Sequence, residues 1–319
     1  MPEARRATAA LAALVALAVG AALLLAYHLA HALPISIEAI ARMCRLPGAV
    51  PSLDRATTIA PGVWLAIGLL LGGLVFALIR LTRTVSSSSR VVARLVAMPA
   101  AAVSSAVVCR VAARATRFGL PTSPVVTRLD GRPAAFTIGL FRPRIVVSEV
   151  VVEALTEAEL DALLLHEAAH ARRRDPLRLV IAGFCRDLLF FLPVSYTLFR
   201  RVGEAQERAA DDAAAVTAGP LEVAGALLAL LKLAGRQPED GLVPAAAGAD
   251  PEARIRRLLD VPEARPSRRA FLSRAGATAL VSTALLASLV GMPVRAADTT
   301  LAGCCVVMTA APGSMAPYC

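Results

Sequence analysis

Aromatic side chains are scarce in this chain: Phe, Trp and Tyr make up only 4% of its 319 residues, against a hydrophobic fraction of 57%. An aromatic-rich soluble core is therefore excluded. The apolar content is mostly Ala, Leu and Val, and the mean hydropathy of +0.64 is that of a chain built from bilayer-spanning helices. Paired cysteines are also missing. The six, Cys44, Cys109, Cys185, Cys304, Cys305 and Cys319, include no C-x-x-C, which removes a cysteine metal or redox site and a general disulfide framework. Cys304, Cys305 and Cys319 share the C-terminal tail, where a bridge stays open if that tail is outside the cytoplasm. The net charge of +10 carries no helix-turn-helix or aromatic-plus-basic stripe with it. Its arginines flank apolar stretches instead, where they set topology and meet anionic headgroups, so direct nucleic-acid binding is not expected.

Three apolar runs are long enough to cross a bilayer, which takes about 20 helical residues. Ala7 to Ala26 follows Arg5 and Arg6 and is read as a retained first span, because it exceeds the usual signal core and Tyr27, His28 and His31 make no small-residue cleavage site. Pro61 to Ile79 is closed by Arg80 and Arg83, and Ala275 to Val294 is preceded by Arg265, Arg268, Arg269 and Arg274. These arginines agree on one cytoplasmic side and put the middle of the chain there. Ser267 to Leu272 has the look of an internal twin-arginine signal, but a plain membrane anchor with basic flanks is the preferred reading; in both cases the tail from Ala297 is expected outside. Leu95 to Val108 is short, contains Pro99 and is expected to be an interfacial helix.

From Gly119 the pattern changes to β-branched runs with Pro and Gly punctuation. Val125 to Thr127 precedes Asp130-Gly131, a hairpin signal before Ala135 to Ile138, and Arg144 to Ser148 follows. A helix then opens at Thr156-Glu157-Ala158-Glu159, a capping-box pattern, and runs through Leu160, Leu163 and Leu164 to His166-Glu167-Ala168-Ala169-His170 before Pro176. Residues four apart share a helix face at about 6 Å between Cβ atoms, so both imidazoles converge on one Zn²⁺ and Glu167 stands beside them as the base. A lone helical His is usually a packed or surface side chain; two of only four in the chain at this spacing are not easily dismissed.

A catalytic zinc takes three protein ligands. Glu207 and Asp211 sit four apart on a small-residue helix, with Glu207 read as the third ligand and Asp211 as the carboxylate that orients an imidazole; Glu204 and Asp212 are the alternatives. Leu177 to Leu192 is apolar enough to pass for another span, but a single crossing would put the ligands on opposite sides of about 30 Å of hydrocarbon. Residues 177–199 are therefore expected to form a helix pair that dips in and returns or lies in the interface. Arg186 and Asp187 within it should face protein or water.

With these residues assembled, the chain resembles the antirepressor membrane metallopeptidases typified by the BlaR/MecR transducers. The resemblance rests on Ala135 to Ser148, on His166 to His170 with Arg172-Arg173-Arg174-Asp175, on Glu207-x-x-x-Asp211, and on Arg254 to Leu259 ahead of the last span. It implies an α+β, polytopic helical membrane protein with a cytoplasmic gluzincin-like domain, ligands His166, His170 and Glu207, and Glu167 as base. The expected organisation is a transmembrane hairpin over 1–83, an interfacial or linker segment over 84–118, the zinc metallopeptidase domain over 119–260, and a final span with an extracytoplasmic tail over 261–319. In the family's sensors a penicillin-binding domain follows the last span; this sequence runs about 25 residues past it, and no such domain is expected here. The function expected is hydrolysis, at the inner membrane, of a cytoplasmic repressor-like protein, a winged-helix repressor being one candidate. Partners are then that substrate, the bilayer and, as an open alternative, a second copy of the chain. Arg144 to Ser148, with Ile145, Val146 and Val147 at its centre, is expected either to offer a strand edge to substrate or to be an internal strand of the sheet. A membrane quality-control protease and a non-catalytic receptor that uses its zinc domain only for binding are the competing readings.

Overall fold

The computed structural model describes residues 2–43, 61–97, 103–128, 133–235 and 250–260, with isolated positions 273, 276–278 and 280. The Asp130-Gly131 pair, Ser267 to Leu272 and Cys304, Cys305 and Cys319 lie outside the described residues, as does most of Ala275 to Val294.

Two long helices come first, α1 (Pro2–Met43) and α2 (Pro61–Ala97). Within them Glu3–Leu24 and Ile67–Ala93 are long and apolar enough to cross a membrane. Val19, Leu23, Leu71 and Val75 are each at least half exposed, a pattern suited to lipid rather than to water. Then follow α3 (Ser105–Arg117), strands β1 (Val125–Thr127), β2 (Ala135–Ile138) and β3 (Arg144–Ser148), and α4 (Glu149–Ala154). The remaining elements are α5 (Glu157–Arg173), α6 (Asp175–Leu188), α7 (Pro193–Ala218), α8 (Pro220–Ala234) and α9 (Pro251–Leu258). The described chain is mostly helical with one small mixed sheet.

That sheet has the order β1-β3-β2, with β1 parallel and β2 antiparallel to β3. The hairpin expected at Asp130-Gly131 between β1 and β2 does not form as a pairing; β2 turns into β3 instead. Gly139 in that turn has φ of 104°, and a Cβ there would stand 2.6 Å from the Arg142 carbonyl oxygen, so glycine is required. Ile145, Val146 and Val147 are fully buried, which is why β3 takes the central position: a continuous apolar run needs cover on both faces.

Ile145 and Val147 join Val107 and Val111 of α3, Val151 and Val152 of α4, Leu160, Leu163 and Leu164 of α5 and Ala226 of α8 in the main core. Within residues 84–118, expected as an interfacial or linker segment, Val107 and Val111 join this core. Helix α2 continues to Ala97, and α3, which begins at Ser105, packs its apolar face into the core. Of the segment expected as one interfacial helix, Leu95 to Val108, the first three residues belong to α2 and the last four to α3, while residues 98–102 lie outside the described residues.

A second core joins Leu14 and Ala18 of α1 to Ala182 and Cys185 of α6, Leu189 and Leu192 in the turn, and Val202 of α7. Here α6 and α7 form a hairpin that leaves the α5 end and comes back. Helix α2 meets it so closely at Gly73 that a Cβ would collide with the Leu188 carbonyl. Asp187 is buried and paired with Arg186, with Arg80 at 3.6 Å, while the Arg186 guanidinium lies 4.3 Å from the Phe199 ring centroid. Both charges thus face protein.

Candidate metal centre

Helix α5 is started by the capping box its sequence predicts: the Thr156 hydroxyl accepts from Glu159 N, and Thr156 N donates to the Glu159 carboxylate at 2.9 Å. It ends at Arg174, whose left-handed φ of 52° turns the chain into α6 with Pro176 in the first turn. Between these ends, His166 and His170 bring their Nε2 atoms 3.1 Å apart, with ring centroids at 4.8 Å. Helix α7 returns Glu207 to the same point, Oε2 3.6 Å from His166 Nε2 and Oε1 3.7 Å from His170 Nε2.

These separations fit zinc. A tetrahedral ion with bonds of about 2.0 to 2.1 Å needs donor atoms about 3.3 Å apart, and two imidazole lone pairs facing each other at 3.1 Å repel unless a cation or a proton lies between them. All three side chains are largely buried, where uncompensated charge is costly.

Each imidazole is backed by a carboxylate on its other nitrogen. His170 Nδ1 is 2.8 Å from Asp175 Oδ2, and Arg173 donates to that same oxygen at 2.6 Å. His166 Nδ1 is 3.1 Å from Asp211 Oδ1. Arg254, from α9, then spans two carboxylates: its guanidinium takes Asp211 as a fork, at 2.7 and 3.0 Å, and reaches Glu207 Oε2 at 2.8 Å. The hydrogen bond to Asp175 fixes the ring of His170, and Asp211 faces that of His166 at ion-pair distance, so both rings have Nε2 left for a metal.

The charges respond accordingly. Burial alone would push His166 down, but the Asp211 and Glu207 carboxylates outweigh it and raise its pKa to about 9. Burial pushes Glu207 up, yet His166, His170 and Arg254 bring it down to about 2. Asp211 and Asp175 are likewise held below the usual carboxylate range against their burial, by His166 and Arg254 in the first case and by His170 and Arg173 in the second.

A family model described as BlaR1 peptidase M56 matches residues 9–234, well over half of the chain. The chain belongs to that family. Two curated relatives, both named Protease HtpX homolog 2, are similar over a shorter stretch. The one from Methanosarcina acetivorans is 28% identical over 145 residues, covering 34% of this chain and 49% of the relative. The one from Methanosarcina mazei is 28% identical over 158 residues, covering 39% and 54%. The chain spans about half the length of these curated relatives. No solved structure matches it. Membership of the BlaR1 peptidase family supports a membrane metallopeptidase.

Of the residues anticipated for such a peptidase, the fold gathers His166, His170 and Glu207, whose ligand atoms all lie within 4.8 Å of one another, with Asp211 behind. The alternatives go elsewhere: Glu204 pairs with Arg200 at 3.2 Å and Asp212 with Arg257 at 2.7 Å. Ile145, Val146 and Val147 are not a free edge. All three pair with β2, and Val146 and Val147 pair with β1 as well, so β3 is the internal strand and its reading as a substrate edge is corrected; β2, which packs beside α5, is an edge strand among the described residues.

Three residues with a part in the site were not identified from sequence. Asp175 had a signal, an acidic residue at the break after the His motif, but it read as a helix end. Arg254 lies beyond the family-matched residues and looked like part of a basic flank. Thr137, in β2, donates its hydroxyl to Glu167; it stands within the Ala135 to Ser148 stretch that carries the resemblance, where nothing assigns it a role.

Proposed function

We propose that this chain is a membrane-embedded zinc metalloendopeptidase that cleaves a cytoplasmic, repressor-like regulatory protein. The observation that carries the reading is the convergence of the His166 and His170 Nε2 atoms with a Glu207 carboxylate oxygen, donors 3.1 to 3.7 Å apart, beside a buried Glu167. A zinc ion held by these three would supply Lewis-acid polarisation of the scissile carbonyl and acidify the attacking water. The protein's own groups do the rest. Glu167 takes the water's proton and returns it to the leaving amine, while Asp175 and Asp211 hold the rings in register. An extended substrate pairs with the edge of β2.

The cytoplasmic assignment is supported by one contact in particular. Arg178, three residues past Asp175, donates to Thr8 at 2.6 Å, which ties the site to the turn of α1 next to Arg5 and Arg6. Positive residues favour the cytoplasmic side, so the α6–α7 hairpin would enter the bilayer from that face between α1 and α2.

The test is zinc content of the detergent-purified protein together with cleavage of candidate repressors by wild type and Glu167→Gln. The variant should keep its zinc and lose hydrolysis by at least about a hundredfold. Cleavage at the wild-type rate would refute the assignment of Glu167, and a wild-type protein that binds no zinc would refute the metal centre. An unchanged cellular response in Glu167→Gln would turn the reading to a receptor that only binds.

A further inference from the structure

Glu167 is 6% exposed, and the described residues offer its carboxylate one hydrogen-bond donor. That donor is Thr137 Oγ1, 2.8 Å from Oε2; the same hydroxyl is 3.0 Å from the Glu167 main-chain carbonyl. One hydroxyl thus sits between the side-chain and backbone oxygens of a single residue, on the far side of a helix-to-strand contact. A glutamate has three rotatable side-chain bonds and gains mobility unless something fixes its end. Here Oε2 is pinned, and Oε1 is left as the oxygen free to work.

The pin is stiff for two reasons. Threonine is β-branched, so its χ1 has few choices and the position of its hydroxyl follows from the backbone of β2. That backbone is held by β3, with Thr137 opposite Ile145 in the antiparallel register. Strand β2 is also one of the two edge strands of the sheet among the described residues.

We propose that Thr137 is a positioning residue for Glu167, locking the base to the frame of the edge strand so that a substrate laid along β2 and the oxygen that takes the proton keep a fixed relation. The proposal rests on the peptidase reading above. It extends it by one residue, which acts through Glu167 and touches neither the metal donors nor the reacting bond. The distinction matters because the hydroxyl can be deleted almost without changing shape.

Thr137→Val removes the hydroxyl and keeps the branched side chain; Thr137→Ser keeps the hydroxyl. In zinc-loaded protein, Thr137→Val should lower kcat by roughly 10- to 100-fold with KM within about twofold of wild type, a part of what a general base contributes. Thr137→Ser should return kcat to within about threefold. Zinc affinity by chelator competition, and the visible absorption of the cobalt-substituted protein, should be the same in all three. In a Glu167→Gln background, adding Thr137→Val should cost nothing further, because a residue that acts only through Glu167 has nothing left to position.

A Thr137→Val variant that matches wild type in kcat overturns the proposal. So does a loss that Thr137→Ser fails to restore, a fall in zinc affinity that accompanies the loss, or an equal loss in the Glu167→Gln background. If Thr137→Val does not fold, the Thr137→Ser variant against Thr137→Ala decides by the same readouts. Failure of the underlying reading looks different: wild type itself then binds no zinc or cleaves nothing.

Discussion

The two halves of the metal centre are supported in different ways. On the His170 side the support is local: Asp175 is five residues away, Arg173 closes on the same carboxylate, and a left-handed Arg174 between them makes the turn. On the His166 side it is assembled from afar, with Asp211 brought by α7 and Arg254 by α9. The local half follows from how α5 ends and α6 begins. The distant half exists only when the α6–α7 hairpin has folded back and α9 has docked, so it couples the site to the rest of the molecule. Helix α9 has no fully buried residue, and arginine pairs to Asp211, Asp212 and Glu207 are prominent in its attachment.

Removing Arg254 is the most severe way to break the distant half. Arg254→Ala would take from Glu207 and Asp211 the guanidinium they share and leave them to His166 and, 3.7 Å from Asp211, Arg257, a loss of about 3 kcal/mol by analogy with broken buried pairs. Arg256, on the exposed side of the same helix and paired, among the described residues, with Glu252, should change stability by less than about 0.5 kcal/mol when replaced by Ala. Apparent melting temperatures of the metal-free proteins in detergent measure the difference. Equal values for the two variants would mean that α9 is held by something other than the carboxylates of the site.

A sharper comparison exchanges one carboxylate in each half. Asp175→Asn and Asp211→Asn each keep the shape and remove the charge that backs an imidazole, and each should weaken zinc binding by roughly 10- to 100-fold. Asp211→Asn should be the worse of the two, because it also strips the buried fork of Arg254, whereas the Arg173 guanidinium keeps the carbonyls of Gln206 and Ala209 at 3.2 Å. Chelator competition gives both affinities. A larger loss for Asp175→Asn would reverse the ranking of the halves.

The same division explains what could be read from sequence. The spacing of His166, Glu167 and His170, the cap at Thr156 and the four-residue step from Glu207 to Asp211 are helical regularities, visible because a helix repeats within a few residues. The strand pairing was not visible, since partners in a sheet are chosen by burial across the fold. Three consecutive apolar residues in β3 did carry a signal of a central strand, which left the internal position open, while the turn-like Asp-Gly falls in sequence between two strands that pair with β3 and not with each other. Thr137 reaches Glu167 across 30 positions and Arg254 reaches Asp211 across 43, with nothing periodic to announce either. The return of the chain after Leu177 to Leu192 was legible only because the ligands on either side required it.

The smallest effect expected is a dependence on pH in the metal-free protein, and it bears on the distant half. His166 is raised from its ordinary 6.5 to about 9, so the stability it contributes is complete below 6.5 and is lost as pH rises through 9. Glu207 is lowered from 4.5 to about 2, so its contribution is present above 4.5 and is lost as pH falls through 2. Between them they favour the metal-free fold from about pH 4.5 to 6.5, with a decline toward pH 9 that belongs to His166. Zinc takes the place of the proton on that ring, so the melting temperature gained on adding zinc should grow from pH 6.5 to 9, by about a few degrees. In Asp211→Asn the raised pKa loses a principal cause, and the growth should shrink. A gain that is flat over this range in wild type, or that grows as steeply in Asp211→Asn, would show that His166 is not paired with Asp211 and that the two halves are supported alike.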